Sequence, residues 1–402
     1  MAQPQDGARY LRWLAGTVLC ACTLVALLVL LVDPYGLYGH WFQRAGFNVV
    51  KPGLMRYPDE IKLARAPAYA PRVLILGNSR AEIGFDPDGP ALAGAMAYNL
   101  AISGSGIEVA HNQLVYLLGT GQRPTLIVQG LDFLDFIDAP GRTTRYAAPP
   151  VVHPVQRTFW RFDSLFSLTS LQDALHTVAI QRAPDAQTST GRGFNPLFEY
   201  RAMARGEGYY ALFQQRAQEN ARVYLKKAAG RRSAADFQHL EAMLELAART
   251  GIEVRLLVYP YHGQILALYE AAGLWPAFAR WKRDLVASVD RVRQRYPRAQ
   301  IQLFDFSGYG PAACERIPAR GDLASVTRWY WEAGHFKAAL GERVLARMLQ
   351  PQTGTGEFGF VLEADTLAEN ARRIARERID CQHAYPALFT DSAALVAGAG
   401  AR

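Results

Sequence analysis

Cysteine is scarce in this chain, four in 402 residues, and two of the four, Cys20 and Cys22, lie inside an apolar N-terminal stretch. That leaves Cys314 and Cys381, which are too isolated to show metal-ligand spacing. Outside the cytoplasm these two could form a disulfide; the alternative is a pair of buried thiols. Concentrated positive charge is also missing. The net charge is +8, yet Lys and Arg are scattered and no run matches a basic recognition helix, so nucleic acid is not an expected partner. The excess reads as surface solvation, with a leaning toward acidic glycans or lipid head groups. Internal repeats and low-complexity segments are absent. With 50% hydrophobic residues the chain is neither disordered nor fibrous, and 402 residues suffice to bury a sizeable core.

The longest uncharged run covers residues 13–32, about the 20 residues needed to cross a hydrocarbon core as a helix. It ends in Asp33-Pro34-Tyr35-Gly36 and not in a small-residue cleavage site, which favours a retained anchor over a removed signal peptide. Arg9 and Arg12 precede it, so the positive-inside rule places residues 1–12 in the cytoplasm and the rest of the chain outside. Residues 33–71, mixed and rich in Gly, Pro and aromatics, read as a stalk.

From residue 72 short apolar runs bounded by turn residues recur, as buried parallel strands do, at 73–77, 98–102, 125–128, 254–259 and 301–304. Helical patterns lie between and after them, at 107–118, 234–249, 277–296 and 336–349. The alternation predicts an α/β domain over 72–350 with a doubly wound, mostly parallel, five-stranded sheet. Residues 139–232 interrupt it as a helical insertion placed to act as a lid, and 351–402 read as a loop, a short charged helix and a frayed end. Ligands of such sheets bind at the carboxyl ends of the strands, where the segments holding Ser79, Gly104, Asp132, His262 and Asp305 fall.

Acyl chemistry at a hydroxyl needs a nucleophile on a sharp turn, an imidazole to take its proton, an acid to orient the imidazole and donors for the oxyanion. Ser79 follows the first strand after Gly77, either as a nucleophile or merely as a helix cap together with Asn78. His335 precedes the last amphipathic helix with Glu332 three residues before it, a base with its orienting acid or else a capping or surface histidine. Gly104 and Gly106 could offer backbone N–H groups or only make a turn, and His262 could line a substrate pocket or pack in its turn. No metal or cofactor is expected. Gly104-Ser105-Gly106 lacks the third small residue of a dinucleotide fingerprint, and the two Glu-x-x-His pairs, Glu108 with His111 and Glu332 with His335, would need four facing helices to hold two irons.

Over residues 72–349 these parts resemble the SGNH hydrolases. Gly77-Asn78-Ser79 resembles their Gly-Asp-Ser block, Gly104 or Gly106 their second-block glycine, and Glu332-Ala333-Gly334-His335 their Asp-x-x-His. A nearer likeness is to membrane-anchored bacterial proteins of this class that share DPYG after the anchor, LGNSRA, DFSGY (305–309) and a Glu-x-x-His. The resemblance implies Ser79 as nucleophile, His335 as base, Glu332 as orienting acid, and the amides of Ser79 and Gly106 in the oxyanion hole. Three positions depart from the pattern: Asn78 in the first block, Glu332 in place of Asp, and Asp132 where the family carries an oxyanion-hole Asn. An ionised Asp132 would repel an oxyanion. Either it is protonated or turned away, with Asn78 or Asn99 supplying the amide, or the hydrolytic mechanism does not operate.

Two functions follow as expectations. The first is an esterase or O-acyltransferase acting on an acylated envelope polysaccharide from the outer face of the cytoplasmic membrane. The second is an inactive binding or scaffold protein of the same fold, working with other envelope polysaccharide proteins.

Overall fold

In the computed structural model, residues 4–38, 42–52, 57–149, 154–183, 185–187, 189–349 and 358–401 are described. The chain forms two compact units, one of Met1–Arg65 with Val151–Gly191 and one of Ala66–Pro150 with Arg192–Arg402.

In chain order, helices α1 (Pro4–Val32) and α2 (Pro58–Arg65) belong to the first unit. The second begins with β1 (Val73–Leu76), α3 (Ser79–Gly84), β2 (Ala97–Asn99), α4 (Ile107–Gly119), β3 (Leu126–Leu131) and β4 (Ile137–Asp138). Helices α5 (Pro154–Phe166) and α6 (Leu168–Ala179) are again in the first unit. The second continues with α7 (Glu199–Ala228), β5 (Arg231–Arg232), α8 (Ala234–Thr250), β6 (Glu253–Val258), α9 (Gly263–Ala271), α10 (Trp275–Arg295) and β7 (Ile301–Asp305). It closes with β8 (Tyr330–Glu332), β9 (His335–Phe336), α11 (Ala338–Leu349), β10 (Phe360–Val361), α12 (Leu367–Ala384) and α13 (Pro386–Gly400).

Within the first unit, α1 carries the stretch Gly7–Val32, 26 residues long and apolar enough to cross a membrane. The DPYG motif stops this helix. Asp33 adopts a left-handed φ of 47°, its carboxylate accepts from the N–H groups of Leu37 (2.7 Å) and Tyr38 (3.1 Å), and Pro34 cannot continue the helix. The buried Lys51 ammonium donates to the carbonyls of Val32 (3.3 Å) and Asp33 (2.5 Å), placing a cation at the negative end of the helix.

The second unit is α/β, around a six-stranded sheet in the order β10-β7-β6-β3-β1-β2. Its five parallel strands are those expected from the sequence. The sixth, β10, pairs antiparallel with β7 and, at two residues, is too short to register as an apolar run. The parallel strands read 2-1-3-4-5 along the sheet, which puts the topological switch point between β1 and β3. β1 is buried at all four positions and β3 at five of six, as strands covered on both faces must be.

Two expectations need correction. The segment 139–232 is not one insertion: α5 and α6 pack with α1 in the first unit, while α7 belongs to the second. The C-terminal tail is not frayed. Its expected loop lies outside the described residues, but the remainder folds into β10, α12 and α13, and α13, rich in small residues, packs on α7 and α9. The last strand-to-helix boundary also moves, because Phe336 pairs with Tyr330 in the β8–β9 hairpin and the helix starts at Ala338.

Cys314 and Cys381 form a disulfide, with Cα atoms 5.9 Å apart, that staples α12 to the loop after β7. It spans 67 residues. By loop-closure entropy, Cys314→Ser with Cys381→Ser is expected to lower unfolding stability by about 4 kcal/mol. Denaturant titration of the full chain in detergent checks this; an unchanged midpoint would mean that the bridge constrains nothing in the unfolded chain.

Candidate active site

Ser79 stands at the switch point. β1 ends in Gly77, whose φ of +143° and close neighbours leave no room for a side chain: a Cβ there would meet the Tyr259 hydroxyl at 2.4 Å. Asn78 then caps α3, its Oδ1 accepting from the Arg80 N–H at 3.1 Å, and Ser79 is the first residue of that helix. The cap and the candidate nucleophile are therefore adjacent residues.

The β8–β9 hairpin delivers the other two groups. Glu332 and His335 face each other across it. His335 Nδ1 is hydrogen-bonded to Glu332 Oε1, and His335 Nε2 lies 2.9 Å from Ser79 Oγ. With Nδ1–H donating to the carboxylate, Nε2 is left to accept from the serine hydroxyl. Glu332 is buried, and burial, the largest influence on it, would raise its pKa. The His335 ring, the Arg216 guanidinium at 3.3 Å and the Gly334 N–H at 2.6 Å together outweigh burial and hold the carboxyl down at about 2.

Helix α3 and the hairpin are brought together by close packing. A Cβ on Gly84 would fall 1.9 Å from the Phe336 ring, and one on Gly341 of α11 would fall 1.7 Å from the Gly84 carbonyl oxygen. Glycine at both positions lets the two helices and the strand approach closely enough for His335 to meet Ser79.

Asp132, following β3, does not act as an oxyanion donor. It is buried and ion-paired with Arg80, and it accepts from Asn78 Nδ2 (3.1 Å), Tyr261 OH (3.2 Å) and Leu134 N (3.3 Å). The Arg80 guanidinium lies 5.1 Å from the Tyr261 ring centroid. Burial would lower the pKa of Arg80, but Asp132 and nearby tyrosines raise it on balance. Asn78 Nδ2 also reaches Asp135 at 3.4 Å, whose carboxyl is pushed well above its usual range by burial and by Asp132. Asn99, the other candidate amide, donates instead to the carbonyls of Ala81 (2.9 Å) and Phe85 (2.8 Å).

Gly104 is an exposed turn residue with φ +74°, and Gly106 is the N-cap of α4. Between them, Ser105 Oγ donates to the Gly77 carbonyl at 3.3 Å, so this loop lies beside the Ser79 turn. His262 does not line a pocket. It is fully buried, its Nδ1 accepts from Gln264 N at 3.1 Å, and its Nε2 bonds to the Glu315 carbonyl at 2.9 Å. Burial, its largest influence, lowers its pKa to about 4, so it is a neutral packed turn histidine.

Arg80, Asp135 and Arg216 were not expected. Arg80 follows Ser79 directly, and its opposite charge to Asp132 was the available signal; Arg216 lies on α7 and no local pattern marks it. Next to the hairpin is a cavity of about 550 Å³ lined in part by Phe194, Phe198, Arg201, Tyr209, Trp331 and Lys337. Ser79, Glu332 and His335 are not among its lining residues, but Trp331 and Lys337 flank the two hairpin residues of the site. Burial pushes the Lys337 ammonium down to about 8, and it donates to Tyr209 OH at 2.9 Å.

The arrangement meets the geometric requirement for a hydroxyl activated by an acid-oriented imidazole. No family model, curated protein or solved structure matches the chain.

Proposed function

We propose that this chain is a membrane-anchored, SGNH-like serine esterase or O-acyltransferase acting on an acylated glycan of the cell envelope. The observation that carries the proposal is the continuous Glu332–His335–Ser79 relay, with Nε2 at 2.9 Å from the hydroxyl. Ser79 Oγ attacks the ester carbonyl while His335 Nε2 takes the hydroxyl proton. The tetrahedral adduct collapses, His335 returns that proton to the departing alcohol, and the acyl group stays on Ser79. Water or a sugar hydroxyl then attacks the acyl-serine, giving its proton to His335, and the released Ser79 takes it back. Ionised Glu332 steadies the imidazolium at both stages.

By the family resemblance, the Ser79 and Gly106 N–H groups receive the oxyanion. The aromatic-walled cavity beside the hairpin is of a size and lining suited to a sugar or acyl moiety. The apolar helix α1 after Arg9 and Arg12 supports a cytoplasmic N-terminus and an external catalytic unit, and the Cys314–Cys381 bridge fits an oxidising compartment.

A second reading, a ligand-binding scaffold without turnover, is favoured by one feature: the Asp132–Arg80 ion pair stands where the family has an oxyanion-hole amide. Titration of the full chain with a fluorophosphonate separates the two. Stoichiometric labelling that disappears in Ser79→Ala is expected. No labelling of the wild type would remove the enzyme reading and leave the scaffold.

A further inference from the structure

Helices α5 and α6 in the first unit bury Trp160 and Ala174 but leave a row of large apolar side chains exposed. Phe159, Phe162 and Phe166 follow at helical spacing on α5, Leu168, Leu175 and Val178 on α6, and all six are 37–79% exposed. Arg161, Thr169, Gln172 and His176 share the exposed surface, but other polar residues point inward. Ser164, Ser170 and Thr177 are buried, Asp163 accepts from Tyr57 OH at 2.5 Å, and Asp173 accepts from Tyr35 OH at 2.7 Å. A helix pair that faces water carries the opposite pattern. The tight turn between the helices is also closed on itself, because Ser167 and Ser170 form a reciprocal capping box that satisfies backbone donors without water.

The hairpin packs on one end of α1. Val25, Leu28, Val29 and Val32 of α1 cluster with Leu165 and Ala174 of the hairpin. Those α1 positions belong to the membrane-length stretch, and seven residue steps of helix cover about 10 Å. The hairpin therefore accompanies α1 over the last third of a hydrocarbon core of about 30 Å, the depth at which interfacial amphipathic helices lie. Near the same end of α1, Leu27 and Leu31 are exposed as well.

We propose that the α5–α6 hairpin is a second membrane contact, a lipid-facing wedge seated in the leaflet from which α1 emerges. The proposal rests on α1 being a membrane anchor, and it assigns the outward face to lipid acyl chains. It also gives residues 151–191 a purpose other than covering a substrate: two helices braced against the anchor fix the first unit on the bilayer surface, where a single helix could swivel.

The test uses the full chain in vesicles of phosphatidylcholine and phosphatidylglycerol, with Cys20→Ser and Cys22→Ser removing the two free thiols. An environment-sensitive nitrobenzoxadiazole label is placed in turn at Phe162→Cys and Leu175→Cys, with Leu19→Cys in α1 and the exposed Arg298→Cys as references. Blue-shifted emission at 162 and 175, quenched several-fold more by lipids carrying a shallow doxyl group than at 298, is the expected result. Labels at 162 and 175 as open to aqueous iodide as that at 298, with 19 still quenched by lipid, would overturn the hairpin proposal and leave the anchor standing. Protection at 162 and 175 from both iodide and doxyl lipid would mean that protein covers the face, and would overturn it equally. A lipid-insensitive label at 19 would remove the anchor itself, and the proposal with it.

Discussion

Ser79→Ala and His335→Ala are each expected to cut acyl-ester turnover by roughly 10⁴- to 10⁶-fold, and the double variant by no more than the larger single loss. Such non-additivity arises because the hydroxyl is a weak nucleophile until Nε2 accepts its proton, so removing either member of the 2.9 Å pair removes the same step. Glu332→Gln tests the third member. An amide side chain can turn its NH₂ toward Nδ1, which favours the tautomer whose Nε2–H cannot accept from Ser79, and a loss of about 10⁴-fold is expected. p-Nitrophenyl acetate hydrolysis by the full chain in detergent, with active-site titration to count competent molecules, reads all four variants. Equal rates in wild type and variants would end the relay as a catalytic device.

The same carboxyl carries a pH signature. Folding lowers its pKa to about 2, below the value near 4.3 of an unfolded glutamate. Its stabilising contribution is therefore fully present above about pH 4.3 and is lost as the pH falls toward 2. Glu332→Gln is expected to flatten the acid side of a stability-against-pH curve, whereas an unchanged acid limb would show that the buried carboxylate is not held ionised.

The second large effect is expected at the Arg80–Asp132 pair. Side-chain exposures of 13% and 5% make both charges dependent on each other, and breaking a buried pair from one side costs about 3–5 kcal/mol. Arg80→Met would leave the Asp132 carboxylate with only Asn78, Tyr261 and one backbone N–H. Asp132→Asn would leave a guanidinium buried against tyrosines. Each is expected to fall in that range by urea unfolding, while Arg80→Met with Asp132→Leu recovers most of the loss. Asp132→Asn is accordingly expected to lower turnover as well, because Arg80 adjoins Ser79. Single-variant losses below about 1 kcal/mol would identify an exposed, screened pair.

The fold was legible where burial imposes a local pattern. VLIL at 73–76 reads as a strand covered on both faces, Gly77-Asn78-Ser79 as a tight turn into a helix, and the Glu332 to His335 spacing already brought an acid within reach of an imidazole. Strand β10, with two residues, was invisible because it exists only through its pairing with β7. His262 was ambiguous for a related reason: a histidine after a strand looks the same whether it faces a pocket or, as here, caps a helix and bonds to the distant Glu315 carbonyl.

The sequence alone determined the strand-and-helix alternation and the apolar helix, and it singled out Ser79, Glu332 and His335 as candidates, since each of these readings rests on neighbours within a few residues. Only the tertiary structure decided that Asp132 is the counter-ion of Arg80, that Arg216 supports Glu332, and that α5 and α6 pack against α1 within the first unit. Those outcomes depend on which charged and polar groups meet across tens to hundreds of residues, as Tyr35 meets Asp173. A buried polar group takes whichever partner the packed chain brings to it, and no local period records that choice.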